Sequence, residues 1–361
     1  MSAPAPGASP APGASPTPEV PATPPSFGLY YDFRNPPRWQ RPWDRYYGEI
    51  LDQIAWAESE LGFSSVWISE HHFVEDGYTP SPITLAAAIA ARTTRVHIGT
   101  SIAILPLQHP IKLAEDALTV DALSGGRFRL GVGVGYRAEE FAAHGVAIGD
   151  RWTRMAEGLQ ILRAAFDGRP VTLHGRHHDL DGVTITPGPL AGGGPELWVG
   201  TFGPRGIERA AELGDGLLGP IPELWPIYAD ACARHGRRPR IAAGYHWIFG
   251  EDPEAELQRV APHVMHQANE YGASGAYGPG WRPVLTPEEL LARSPFELVD
   301  AEAVARQIAG AARSGMVEDV HYWTHFPGEP IERSSARLEH FARVVVPRVA
   351  ELLADPATAG G

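Results

Sequence analysis

From residue 27 onward, short apolar runs rich in β-branched and aromatic residues alternate with longer stretches in which apolar positions recur every three or four residues. Repeated βα units produce this alternation, and a parallel sheet follows from it. Residues 27–33 (FGLYYDF) read as the first strand, and residues 46–61 as a helix burying Ile50, Ile54 and Leu61 that ends at Gly62. Runs at 65–69, 96–105 and 128–134 make strands two to four, with helices at 82–91 and 111–123 between them. Runs at 197–201, 216–218, 241–249 and 320–324 bring the strands to eight. Helices fit at 151–166, 206–213, 223–234 and 301–314, with a closing one at 333–353. Right-handed crossovers make a (β/α)8 TIM barrel the economical α/β architecture, and a doubly wound open sheet is the alternative that strand number leaves standing.

Two excursions break the alternation. Residues 171–189 read as a hairpin packed outside the barrel. Residues 262–296, rich in Gly, Pro, Tyr and Trp, form an insertion after strand seven. A segment of that length in a compact domain usually serves function, so a lid over the active site is expected. Gly272, Gly275, Gly278 and Gly280 would be its hinges, and Tyr271, Tyr277 and Trp281 its apolar cover. Residues 1–26 repeat APGASP, hold almost nothing that could enter a core, and lack the positive and apolar regions of a secretory signal. They are expected to be a disordered tail, leaving 27–361 as a single catalytic domain.

The net charge of -13 argues against nucleic acid as a partner, which needs a basic face. Cys232 is the only cysteine, so an intramolecular disulfide is impossible and the cytoplasm is the expected compartment. No apolar run approaches the roughly 20 residues that span a bilayer, so no membrane location is expected.

In a barrel the chemistry sits just beyond the C-terminal strand ends. Strand two ends in SEHHF, which crowds Glu70, His71 and His72 at one position. An imidazole there could give or take a proton; a structural pair hydrogen-bonded under a loop is the competing explanation. His97, His109, His174, His177 and His178 lack metal-ligand spacing, so no metal is expected. In GVGVG, residues 131–135, glycine alternation inside a strand reads as room for a flat cofactor against the wall. GTFGPRG, residues 200–206, opens a helix where amides and dipole attract phosphate.

Taken in order, SEHHF, HIGTSIAILPLQHP, LSGGRFRLGVGVGYRAEEFAAHG and WVGTFGPRGIERAAELGDG resemble the bacterial luciferase-like flavin-dependent oxidoreductase family from residue 27 to about 353. The resemblance implies reduced FMN across the barrel mouth, O2 as co-substrate and a small-molecule organic substrate. It also implies a separate flavin reductase, a homodimer, and monooxygenation as the activity. His71 matches the catalytic histidine, and Ser101–Ile102 matches a non-proline cis peptide behind the flavin ring. Val134, Gly135 and Tyr136 are expected beside the cofactor; luciferase has an arginine at the position of Val134. Relatives place hydroxyl residues where this chain has Phe202 and Gly203. Thr201, Arg205 and the amides of Gly203 and Gly206 would therefore hold the phosphate, and loosely. Hydride transfer with F420 is the alternative, although EHHF differs from the DHF-like strand end of those relatives, and a non-catalytic flavin-binding relative is the second alternative. Tyr30, Tyr31, Phe33, Tyr136, Tyr245, Trp247 and Trp323 are candidates for an aromatic substrate wall.

Overall fold

In the computed structural model, which describes residues 23–355, eight parallel strands form one ring: β1 (Ser26–Tyr31), β2 (Ser65–Ile68), β3 (His97–Thr100), β4 (Phe128–Gly133), β5 (Glu196–Gly200), β6 (Gly216–Leu218), β7 (Ile241–Tyr245) and β8 (Val317–Trp323). Ile98 of β3 pairs with Phe128 of β4, and Tyr30 of β1 with Trp323 of β8, so the ring closes and the open sheet is excluded. Around it lie α1 (Trp43–Leu61), α2 (Pro82–Arg92), α3 (Pro110–Ser124), α4 (Ala138–Ala143), α5 (Arg151–Phe166), α6 (Pro204–Leu213), α7 (Trp225–Arg234), α8 (Pro253–Ala273), α9 (Pro287–Arg293), α10 (Ala301–Arg313), α11 (Ile331–His340) and α12 (Val346–Ala354). The chain is a (β/α)8 barrel. The expected tail falls outside the described residues as far as 22; Ser26, placed in that tail by composition, pairs with Asp319 as the first residue of β1.

Local chemistry accounts for the boundaries. Ile50, Ile54 and Ala57 bury one stripe of α1, and Gly62 at φ 77° stops it where a Cβ would be strained. Asp252 and Asp300 accept the first-turn amides of Ala255 and Ala303 at 3.0 and 2.7 Å, starting α8 and α10. The lumen is plugged by Trp67 and Trp198, edge to face at 5.8 Å. Each indole lies where a neighbouring strand has glycine: a Cβ on Gly99 would come within 2.3 Å of Trp67, and one on Gly216 within 2.4 Å of Trp198. These two rings make the base on which the site rests.

Four expectations need correction. The run 96–105 is not one strand: β3 ends at Thr100, a cis Ser101–Ile102 bond follows, and Ala103–Ile104 pairs separately with β4. The run 241–249 also splits, because Trp247–Ile248 leaves the ring to pair with Glu297–Leu298. The closing helix is α11 and α12 joined by a wide π turn at Phe341–Val345; Pro347 has no N–H to return to the Arg343 carbonyl. Most consequential, the insertion is not a loop over its first part. Residues 262–273 are helical because Val260, Val264 and Ala268 continue the buried stripe of α8, while Pro262 sits on the exposed face. That stripe joins the lumen tryptophans in one apolar cluster. The hairpin at Val171–His174 and Asp179–Val183 forms as expected.

Candidate active site

A cavity of about 450 Å³ opens at the C-terminal ends of the strands. Its walls are chiefly apolar, from Tyr30, Ile102, Ile104, Leu218, Ala242, Tyr245 and Trp323. Polar groups enter at a few points: Ser69, Glu70 and His71 after β2, Thr201 after β5, His246 after β7 and His321 on β8. An apolar concavity with few converging polar groups is the usual form of a small-molecule site.

His71 is held from three sides. Its Nδ1 lies 2.8 Å from Oε1 of Glu140, which α4 carries inward and buries completely. The Tyr78 ring packs edge to face on the imidazole at 4.7 Å, and Arg34 lies 4.3 Å from the centre of that same tyrosine ring. Arg34 is in turn paired with Asp32 at 3.1 Å and Asp76 at 2.7 Å. Burial lowers the proton affinity of His71 below the ordinary imidazole value, and the opposing pull of Glu140 does not offset it. Burial alone would raise the Glu140 pKa; the bonds from His71, from the His72 amide and from nearby Arg137 bring it below the usual carboxylate range instead. The two directions agree on a neutral imidazole beside an ionised carboxylate. A carboxylate only accepts, so the ring proton sits on Nδ1 and the Nε2 lone pair faces Tyr136, whose hydroxyl lies 3.2 Å away. His72 turns away to Glu70 at 2.9 Å, and Glu70 also accepts the Ile104 amide at 2.6 Å.

The cis Ser101–Ile102 bond forms a shelf in the cavity. Tyr30 donates its hydroxyl to the Ser101 carbonyl at 2.8 Å. Ile102 seats itself over two glycines, since a Cβ on Gly133 or Gly200 would come within 2.7 Å of its side chain. The space left by the strand-four glycines is therefore filled partly by protein: Gly131 admits the Thr100 carbonyl, and Gly133 admits Ile102.

Of the expected site residues, His71, Ser101, Ile102, Val134, Gly135, Tyr136, Thr201 and Gly203 all border this one cavity. Arg205 and Gly206 do not; they lie in the first turn of α6, with Arg205 exposed. Gly206 acts indirectly, because a Cβ there would come within 1.9 Å of Thr201 Oγ1. Of the seven aromatics proposed as a wall, Tyr30, Tyr136, Tyr245 and Trp323 line the cavity, whereas Tyr31, Phe33 and Trp247 pack in the outer core. Sequence reasoning missed Glu140, Tyr78, His246 and His321. RAEEF did signal an acidic pair, but which glutamate turns inward depends on the phase of α4.

The insertion meets the site through α8. Tyr271 and Tyr78 share a hydroxyl contact of 2.6 Å, and His266 reaches Asp76 at 2.9 Å. Gly272, expected to be a hinge, instead seats Trp281, whose indole would clash with a Cβ at 2.0 Å. Gly275, Gly278 and Gly280 do take positive φ, at 90°, 86° and 88°.

Residues 27–324 match the family described as Luciferase-like monooxygenase. The chain is 25% identical over 337 residues to the oxygenase component of flavin-dependent trigonelline monooxygenase from Acinetobacter baylyi, covering 86% of this chain and 91% of that one. It is 27% identical over 323 residues to F420-dependent glucose-6-phosphate dehydrogenase from Kineococcus radiotolerans, covering 83% and 92%. Other curated relatives are matched over only 45% to 64% of their own length. Among solved structures, monooxygenase RslO1 from Streptomyces bottropensis superposes with a TM-score of 0.75 at 26% identity, covering 89% of this chain and 99% of that one.

Proposed function

Because this chain belongs to the luciferase-like monooxygenase family, we propose that it is an oxygenase that uses reduced FMN and O2 to oxygenate a small or medium organic molecule. The family includes flavin-dependent monooxygenases and F420-dependent oxidoreductases, and the enzyme is an oxidoreductase in either case. The observation that carries the reading is His71, braced by Glu140, on the wall of an otherwise apolar cavity.

The residues present suit a flavin at its ring end. Ile102, Ile104, Val134 and Leu218 offer flat apolar surface, with Ile102 seated over Gly133 and Gly200 and Ile104 over Gly135. At the phosphate end the donors are few: the Thr201 hydroxyl and the first-turn amides of α6, with Arg205 near but exposed. That set supports loose holding and delivery by a separate reductase, as the name of the trigonelline relative, an oxygenase component, also suggests. When bound, the reduced flavin supplies two electrons and activates oxygen.

The chain itself supplies the proton chemistry and the dry surroundings. His71 Nε2 accepts a proton from the reacting group, and Glu140 stabilises the resulting imidazolium through Nδ1–H. Tyr136 hydrogen-bonds Nε2 at rest and gives it up when a ligand arrives. Trp323, Tyr271 and Tyr245 keep the cavity apolar, which excludes water from the reacting centre. The same reading puts the enzyme in the cytoplasm, as a homodimer whose mass light scattering would report.

Hydride transfer with F420 is the second reading, and it is favoured by the long match to the Kineococcus enzyme. Anaerobic titration with reduced FMN and reduced F420, followed by oxygen, decides between them. Binding of FMN with rapid oxidation on mixing with oxygen is expected. Binding of F420 alone, inert to oxygen, would replace the proposal by its rival.

A further inference from the structure

The cavity has a second histidine–carboxylate pair that the chemistry above leaves unused. Asp319 and His321 stand two residues apart on β8 and share its inner face. Asp319 is completely buried; its Oδ1 accepts the Trp67 indole N–H at 2.9 Å and lies 3.1 Å from His321 Nδ1. With the carboxylate as acceptor, the neutral form of this imidazole carries its proton on Nδ1 and a lone pair on Nε2. That nitrogen is kept accessible by Gly244, where a Cβ would come within 2.9 Å of it. The imidazole lies parallel to the Tyr30 ring at 5.7 Å and forms part of the cavity lining. His246 lines the same cavity, its pKa brought down to about 4 by burial and then by His321, so it is neutral and has one N–H to give. Tyr30 and Trp67 pack beside His321 and Trp323 beside His246, while Leu218 and Ala242 add apolar surface to the same cavity.

We propose that His321, backed by Asp319 and flanked by His246, is the subsite that receives a hydroxyl group, and that the substrate is therefore an apolar, ring-sized molecule carrying a phenolic or alcoholic hydroxyl. This rests on the reading that an organic substrate enters the cavity. A hydroxyl both donates and accepts, so it satisfies the Nε2 lone pair of His321 and the N–H of His246. A ketone leaves the lone pair unmatched, and a hydrocarbon leaves both groups unmatched. Unmatched groups in an apolar enclosure lower affinity, by about tenfold for each lost bond. The walls of Tyr30, Tyr245 and Trp323 fit a flat ring better than a flexible chain.

The test compares 2-naphthol with 2-methoxynaphthalene, similar in shape and differing in the O–H. Binding to the unmodified protein is measured by calorimetry, with and without FMN. Binding of 2-naphthol at least tenfold tighter is expected, with FMN present or absent. His321→Phe should abolish the preference, because 2-naphthol loses its acceptor and the methyl ether no longer leaves a lone pair unmatched, and Asp319→Asn should reduce it. Equal affinities, binding of neither probe, or a preference that survives in His321→Phe would each overturn the subsite. Displacement of 2-naphthol by FMN would also overturn it, because His321 would then be a cofactor contact. The comparison on unmodified protein stands even where a variant fails to fold. FMN bound without a naphthol preference would sink the subsite alone; a preference without FMN or F420 binding would sink only the flavin reading.

Discussion

His71 is poised as a base by two opposed effects, burial that keeps it neutral and a carboxylate that fixes which nitrogen carries the proton. Replacing it with Ala should lower turnover by about 10² to 10⁴, the range typical of a positioned acid–base group, with FMN binding retained. Stopped-flow oxidation of reduced FMN, read beside a thermal melt, checks this. A collapsed melting temperature with normal turnover of the remaining folded protein would make the residue structural. Since the base must be neutral, activity is lost as pH falls through the folded-state pKa of His71, which lies below the ordinary 6.5. The acid limb of kcat/KM should accordingly fall below pH 6.5. In Glu140→Gln the limb should move to still lower pH, because the group that raised the imidazole's proton affinity is gone.

Two elements decide how the cofactor is held and shielded. At the start of α6, Gly206 leaves room for the Thr201 hydroxyl, whereas Arg205 is exposed outside the cavity lining. Gly206→Ala should therefore weaken FMN binding at least as much as Arg205→Ala does, with about a tenfold loss for the former by equilibrium titration. A larger effect of Arg205→Ala would return that guanidinium to the phosphate site. In the insertion, α8 is fastened to the barrel by the Tyr78–Tyr271 and Asp76–His266 contacts, and past it Trp281 is seated on Gly272 and Val284 is held by Asn269, so covering the mouth falls to residues 275–280. Shortening residues 275–280 should raise the hydrogen peroxide released per flavin oxidised several-fold while the fold survives, because water then reaches the reacting centre. Unchanged coupling would make the segment a static decoration.

Over the whole molecule, stability should depend on buried imidazoles as well as on the core. His325 lies 3.1 Å from Ser334 Oγ, and burial, only partly opposed by Glu329, brings its pKa down to about 4. The unfolded chain binds this proton near pH 6.5 and the folded protein only near 4, so folding stability falls as pH drops through that window. The wild type should lose up to roughly 3 kcal/mol more than His325→Gln between those limits, measured by urea unfolding at each pH. The eight-strand alternation, the SEHHF strand end, the glycine-rich segments and the family likeness were all legible in the amino-acid order. They were legible because period, strand punctuation and a histidine's place after a strand are local properties. His71, Thr201 and the Ser101–Ile102 bond could be named from them. The chain order could not reveal that Gly99 and Gly216 exist for two tryptophans on neighbouring strands, or that Gly272 seats Trp281. Nor could it place Glu140, 69 residues from His71, against that imidazole. These partners meet only when the ring closes and α4 and α8 settle on it, because each contact is set by the phase and tilt of elements distant in sequence. Local pattern determined the barrel and the position of its chemistry; tertiary packing decided the partner, tautomer and accessibility of each histidine.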